Sequence, residues 1–311
     1  MLIKKFNLDN KRDNVDLTSY ILEDSPELLN GKKRPAIIIC PGGAYINCSD
    51  REGESVALRF AAMGYHAFVL RYHVLLDDKE DYNSIFSDSI NFKDDTIFPT
   101  PMLDIANAFS IIHEHADDWL VDIDKLILCG FSAGGNNVTN YGVYWNKPII
   151  TNSFDIERTR PAAIIVGYPL TDYFVHQEFV KSQGKSGTRF FEISNRTFLG
   201  NENPTEEQFL SVSSAKLIDD STPPMFIWTT TSDQLVNVNQ STILATALAN
   251  KGIPFELHVF EDGPHGLSLA TQATAPSIVE VDDTVRIWID LAEKWLSKRF
   301  MLPLEKQSPW N

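Results

Sequence analysis

Short apolar runs recur along the chain at 36–40, 67–71, 126–129, 163–168, 224–229 and 255–260, separated by longer polar stretches. Runs of four to six residues rich in Ile, Val and Phe read as strands buried on both faces. Between them the pattern changes to a helical period. Stretches 51–63, 101–119, 240–251 and 278–300 read as helices, and 101–119 carries Ile105, Ala108, Phe109 and Ile112 on one side. Strand and helix in alternation predict an α/β fold: a mostly parallel, twisted central sheet with helices on both faces. The segment up to residue 24 should supply edge strands. The stretch 172–220 breaks the alternation with a polar and aromatic mix that includes Phe174, Phe179, Phe190, Phe191 and Phe198. It predicts a small helical cap insert within one domain spanning 1–311. The tail 301–311 reads as loose or used in a contact.

The strand at 126–129 runs straight into Gly130-Phe131-Ser132-Ala133-Gly134-Gly135, and a helix-length stretch follows. A G-x-S-x-G between strand and helix is the pattern that holds a serine at the tip of a tight turn. Gly130 and Gly134 keep side chains away from the neighbouring strand and helix. Ser132 then sits at a helix N-terminus, where backbone N–H groups favour negative charge.

A serine hydroxyl is a weak nucleophile until a histidine takes its proton, and that histidine needs a carboxylate to hold its tautomer. On this type of turn the chain order is Ser, acid, His. Asp233 follows the strand at 224–229, and His265 lies in Gly263-Pro264-His265-Gly266 after the strand at 255–260. Asp172, after the strand at 163–168, is the alternative acid. Asp262 is too close to His265 in sequence to be its natural partner. His258 lies inside a strand, and His66 and His73 come too early. His113 and His115, two apart on a helix, face different ways. His176 sits in the irregular insert and competes weakly.

An oxyanion needs two or three N–H donors aimed at one point. Ala133, directly after Ser132, supplies one. The loop after the strand at 36–40, Pro41-Gly42-Gly43-Ala44-Tyr45, supplies the others through Gly43 and Ala44. Tyr45 beside this loop and Phe131 beside Ser132 are the candidate substrate-binding side chains.

Together these motifs resemble the α/β-hydrolase superfamily over nearly the whole chain. The resemblance is to small bacterial carboxylesterases with an H-G-G-G-type loop, and within them to the acetyl esterase and xylan-esterase-like group. It rests on Pro41 to Tyr45, Asp104, the Ser132 turn, Tyr168-Pro169-Leu170-Thr171-Asp172, Ser232-Asp233 and Pro264-His265-Gly266-Leu267. Three positions depart from the pattern. Pro41 stands in place of His, Ala44 in place of a third Gly, and Asn136 where related esterases often carry His. The resemblance implies a serine carboxylesterase that hydrolyses short acyl esters, with acetylated sugars among its substrates. The bulk of Tyr45 and of the aromatic insert predicts acetyl to butyryl groups, and acyl transfer through these residues needs no metal or organic cofactor. An amidase such as an arylformamidase, a small peptidase and a non-catalytic binding protein share the fold and remain as alternatives.

Composition narrows the partners. The formal charge is −15 over 311 residues, which disfavours nucleic acid and anionic membrane and fits a neutral small-molecule ester. A homo-oligomer stays open. Asp77, Asp78, Glu80, Asp81, Asp88, Asp94 and Asp95 crowd into 77–95. They read as a solvated loop, or more sharply as a cation-selecting rim. The three cysteines have no zinc spacing, and Cys40 and Cys129 read as small buried residues. The first residues show no secretory apolar stretch, so a cytoplasmic protein is expected.

Overall fold

The computed structural model describes residues 1–77, 80–87 and 90–306, save the side chains at 185 and 186. Eight strands form one sheet in the order β1-β2-β4-β3-β5-β6-β7-β8. They are β1 (Leu2–Asn7), β2 (Asp16–Ile21), β3 (Arg34–Cys40), β4 (His66–Arg71), β5 (Val121–Phe131), β6 (Ala163–Gly167), β7 (Met225–Thr230) and β8 (Phe255–Phe260). The first two pair antiparallel at one edge, and β4, β3, β5, β6, β7 and β8 run parallel. This is the mostly parallel α/β sheet expected from the alternation of runs.

The helices are α1 (Glu54–Ala62), α2 (Thr100–Glu114), α3 (Ser132–Tyr144), α4 (Pro148–Thr151), α5 (Tyr173–Gln183), α6 (Lys185–Leu199), α7 (Glu206–Ser211), α8 (Ser214–Leu217), α9 (Asn239–Asn250) and α10 (Trp288–Arg299). Strand residues alternate between two apolar layers, as a period of two requires. Ile38, Leu128, Ile164 and Ile227 pack with Phe109 of α2, Tyr141 of α3 and Leu244 of α9. Ile37, Ile127, Ile165 and Phe226 pack with Phe60 of α1 and Trp295 of α10 on the opposite face. Cys40 and Cys129 are buried free thiols. Among the described residues, no helix is long and apolar enough to cross a membrane.

Two helix boundaries differ from the sequence reading. The last helix begins only at Trp288. Ahead of it, the Asp282 side chain accepts the Thr284 and Val285 N–H groups, both at 2.8 Å, and Ile278 and Val279 stand exposed. An aspartate turning back on its own backbone competes with helix formation. Likewise α2 stops at Glu114, and the chain turns through 115–120 into β5.

Part of the acidic stretch is paired with cations. Arg12, 7 % exposed, pairs with Asp77 at 2.9 Å and Asp95 at 3.0 Å, and Lys93 pairs with Asp77 and Glu80. Asp78 and Asp88 lie outside the described residues, as do 307–311 of the tail.

Candidate active site

The turn between β5 and α3 is tight because two backbones meet there. A Cβ on Gly134 would lie 2.1 Å from the Cys40 carbonyl oxygen, and one on Gly130 would lie 2.3 Å from that of Gly134. Ser132 itself adopts φ 52°, a left-handed conformation that costs a residue with a side chain about 1–3 kcal/mol. Packing of β5 and α3 into the core holds that strain in place.

His265, on the loop after β8, reaches both partners that chain order assigns to it. Its Nε2 lies 2.8 Å from Ser132 Oγ, and its Nδ1 lies 2.7 Å from Asp233 Oδ2. An ionised carboxylate only accepts, so Nδ1 carries the proton and Nε2 is left to accept from the serine hydroxyl. Asp233 is buried, and its Oδ1 accepts the Leu235 and Val236 N–H groups at 2.8 Å each. Asp172 is engaged elsewhere. Its Oδ1 caps α5 through the Phe174 and Val175 N–H groups, and its Oδ2 pairs with Lys216 at 2.9 Å.

The loop after β3 takes an unusual backbone path, with φ 128° at Gly43, 56° at Ala44 and 60° at Tyr45. Gly42 N–H donates to Glu52 Oε2 at 2.6 Å. Among the described residues, the N–H groups of Gly43 and Ala44 donate to no protein acceptor. Ala133 N–H lies in the first turn of α3, where no intrahelical acceptor exists. Glu52 is nearly inaccessible, and its other oxygen accepts the Tyr168 hydroxyl at 2.6 Å. That hydroxyl in turn accepts Ser268 N–H at 2.9 Å, and the Tyr168 ring meets His265 edge-on at 4.9 Å. Burial first, then the Glu52 charge, pushes the Tyr168 phenol well above its ordinary range, so it stays a donor.

A cavity of about 270 Å³ opens over Ser132 and Ala133. Its floor includes Ala44 and Tyr45, and its wall comes largely from α5 and α6, including Phe179, Phe190 and Phe191. Ser194 of α6 ties that wall to the loop by donating to the Ala44 carbonyl at 3.0 Å. Tyr45 lines the cavity and is held from two sides. Its ring stacks on Phe198 at 3.7 Å, and its hydroxyl donates to Asn136 Oδ1 at 2.7 Å. Asn136 also donates to the Leu170 and Val212 carbonyls.

Phe131 is a correction: it is fully buried and absent from the cavity wall. As the last residue of β5 it points to the other sheet face, against Tyr168 and Trp288. Adjacent strand residues face opposite ways, so a neighbour of Ser132 in sequence need not share its side of the sheet.

Three residues of the site escaped the sequence reading as participants. Glu52 and His176 carry no local signal, and Asn136 none beyond its departure from the family pattern, because each is defined by groups far away in the chain. His176, discounted as part of an irregular insert, lines the cavity. Among the described residues, no cluster of three or more His, Cys, Asp or Glu could hold a metal ion. The His73 imidazole, held by Asp104 at 2.8 Å and Asp9 at 2.9 Å, is a separate buried array. Burial lowers its pKa, but the carboxylates outweigh that and raise it overall.

The family model described as BD-FAE matches residues 26–248. Endo-1,4-beta-xylanase B of Butyrivibrio fibrisolvens is 34% identical over 242 residues, which is 76% of this chain and 33% of that protein. The chain thus spans about a third of that relative. Among solved structures, a sugar hydrolase from Lactococcus lactis is 30% identical with a TM-score of 0.71, covering 96% of this chain and 98% of its own. A carboxylesterase from Lactobacillus plantarum WCFS1 is 25% identical with a TM-score of 0.75 and the same coverage. An acetyl ester-xyloside bifunctional hydrolase from Caldicellulosiruptor lactoaceticus is 28% identical with a TM-score of 0.72, covering 96% of both chains.

Proposed function

The chain belongs to the BD-FAE family of α/β hydrolases, and from that premise we propose that it hydrolyses short-chain acyl esters by acyl transfer through Ser132, His265 and Asp233. The likeness to carboxylesterases and acetyl ester hydrolases makes it an esterase-type serine hydrolase. The observation that carries the finer reading is the Ser132–His265–Asp233 relay, with contacts of 2.8 and 2.7 Å at the foot of the cavity.

In this reading Ser132 Oγ attacks the ester carbonyl carbon while His265 Nε2 takes its proton. Asp233 keeps Nδ1–H in place and balances the imidazolium that forms. The N–H groups of Gly43, Ala44 and Ala133 receive the oxyanion, each such donor contributing about 10²–10³ in rate. Collapse breaks the ester C–O bond, and the imidazolium gives its proton to the departing alcohol. Water then attacks the acyl-serine, again losing a proton to Nε2, and the carboxylic acid leaves. No metal or organic cofactor enters these steps.

The same reading treats α5–α8 as a cap over the site and Tyr45 as the wall that limits acyl length. The formal charge of −15 supports neutral esters, acetylated sugars included, over polyanions. The test is labelling with a fluorophosphonate alongside hydrolysis of p-nitrophenyl acetate. Wild type should do both, and Ser132→Ala should label not at all and lose about 10³-fold or more in kcat/KM. A Ser132→Ala variant that keeps most of its rate overturns the assignment.

A further inference from the structure

The wall over Ser132 is mainly apolar, yet one imidazole stands in it. His176 of α5 lines the cavity and is 6 % exposed. Its ring meets Phe191 edge-on at 4.8 Å. Among the described residues neither ring nitrogen has a hydrogen-bond or ion-pair partner, and Nδ1 is sealed from solvent. A buried polar group left unpaired opposes folding, and an apolar side chain would line this wall without that penalty. Burial, then the charge of His265, pulls the His176 pKa down to about 4, with Asp233 opposing. The ring is therefore neutral at neutral pH, and with Nδ1 sealed it is Nε2 that can meet a ligand, as an N–H donor or as a lone pair according to the tautomer. A hydroxyl, which can donate or accept, pairs with that one nitrogen in either tautomer. His176 and Ser132 line the same cavity.

We propose that His176 is the specificity contact of this cavity, hydrogen-bonding a hydroxyl of the bound substrate so that esters of hydroxyl-bearing alcohols are preferred over alkyl esters of equal size. The proposal rests on the reading of Ser132 as nucleophile. His176 does not take the serine proton, because His265 Nε2 already holds that position. It acts by binding, and its loss leaves an unpaired hydroxyl against an apolar wall.

The test compares kcat and KM for a mono-O-acetyl pentopyranose and for cyclohexyl acetate, matched in ring size, in wild type, His176→Phe and His176→Gln. Wild type should prefer the sugar ester. His176→Phe should lower kcat/KM on the sugar ester by about 10- to 100-fold, chiefly through KM, and lower it on cyclohexyl acetate by a clearly smaller factor. His176→Gln, which keeps a donor and an acceptor, should recover most of the loss. Equal losses on both esters, no loss on either, or wild type without a preference would overturn the proposal. An enzyme inert to both esters and to fluorophosphonate would instead overturn the acyl-transfer reading beneath it.

Discussion

Asp172 and Asp233 follow adjacent parallel strands and are both buried, yet only Asp233 reaches His265. Asp172 spends its two oxygens on the first turn of α5 and on Lys216. Both carboxylates are satisfied, so the difference between them is geometric.

That difference predicts opposite responses to the same substitution. Asp233→Asn should cost roughly 10⁴-fold in kcat, because an amide no longer fixes the Nδ1–H tautomer of His265. Asp172→Asn should leave kcat within about twofold, since asparagine caps a helix as well as aspartate does. It should cost no more than about 1 kcal/mol for the partly exposed Lys216 pair. Steady-state kinetics on p-nitrophenyl acetate check the ranking, and the reverse order would move the acid to the end of β6.

Glu52 should matter although it does not touch the cavity. It holds Gly42 N–H with one oxygen and the Tyr168 hydroxyl with the other, which anchors the start of the loop carrying Gly43 and Ala44. Glutamine carries no charge, and with its oxygen on Gly42 N–H it turns an N–H toward the Tyr168 hydroxyl, so Glu52→Gln removes the acceptor that hydroxyl donates to. A hydrogen bond to a charged group is worth about 1.5–3 kcal/mol, so urea unfolding should show a loss of that order. With the loop displaced, kcat should fall about tenfold or more while KM changes little. Unchanged kcat in a destabilised variant would mean that Glu52 supports the fold alone.

Acyl length should follow Tyr45. Wild type should prefer acetyl to butyryl p-nitrophenyl esters, with kcat/KM falling steeply by octanoyl. Tyr45 is clamped between the Phe198 stack and the Asn136 bond, so it cannot swing aside. Tyr45→Ala should move the preference toward longer chains, each accepted methylene being worth about 0.8 kcal/mol. The variant should lose about 3–5 kcal/mol of stability, the range for large aromatic truncations in a core. A ratio of octanoyl to acetyl rates unmoved by Tyr45→Ala would place the acyl chain elsewhere in the cavity.

Stability should decline with acid in a way traceable to one histidine. Burial, then the Arg34 charge, pulls His66 down to about 4 from its ordinary 6.5. Its Nδ1 accepts Leu22 N–H at 3.1 Å, which only the neutral ring can do. The unfolded chain therefore binds the proton first as pH falls. The stabilising effect is complete above about pH 6.5 and is lost between there and pH 4, amounting to about 2–3 kcal/mol by pH 4.5. His73, whose pKa is raised, runs the other way and loses its contribution as pH rises. In urea titrations at pH 7.5 and 4.5, His66→Asn should show the smaller drop by that amount. Equal drops would mean that His66 charges freely in the folded protein.

The alternation of apolar runs was enough to predict a mostly parallel sheet, because strands buried on both faces must be continuously apolar. The Ser132 turn was legible because its glycines, strand and helix are contiguous, and chain order then led to Asp233 and His265. Contacts across the chain were not legible. Glu52 meets Gly42 and Tyr168, and Asn136 meets Tyr45, Leu170 and Val212, through pairings that no local spacing encodes. Phe131 looked like a site residue by adjacency, but the strand's period of two turned it to the opposite layer. The insert at 172–220 revealed its aromatic composition in sequence. Only folding of α5 and α6 over Ser132 decided that Phe190, Phe191 and His176 share one wall. Sequence determines what the backbone does locally, because steric and hydrophobic patterns act over a few residues. Tertiary structure decides which distant side chains meet, because that depends on how whole elements pack.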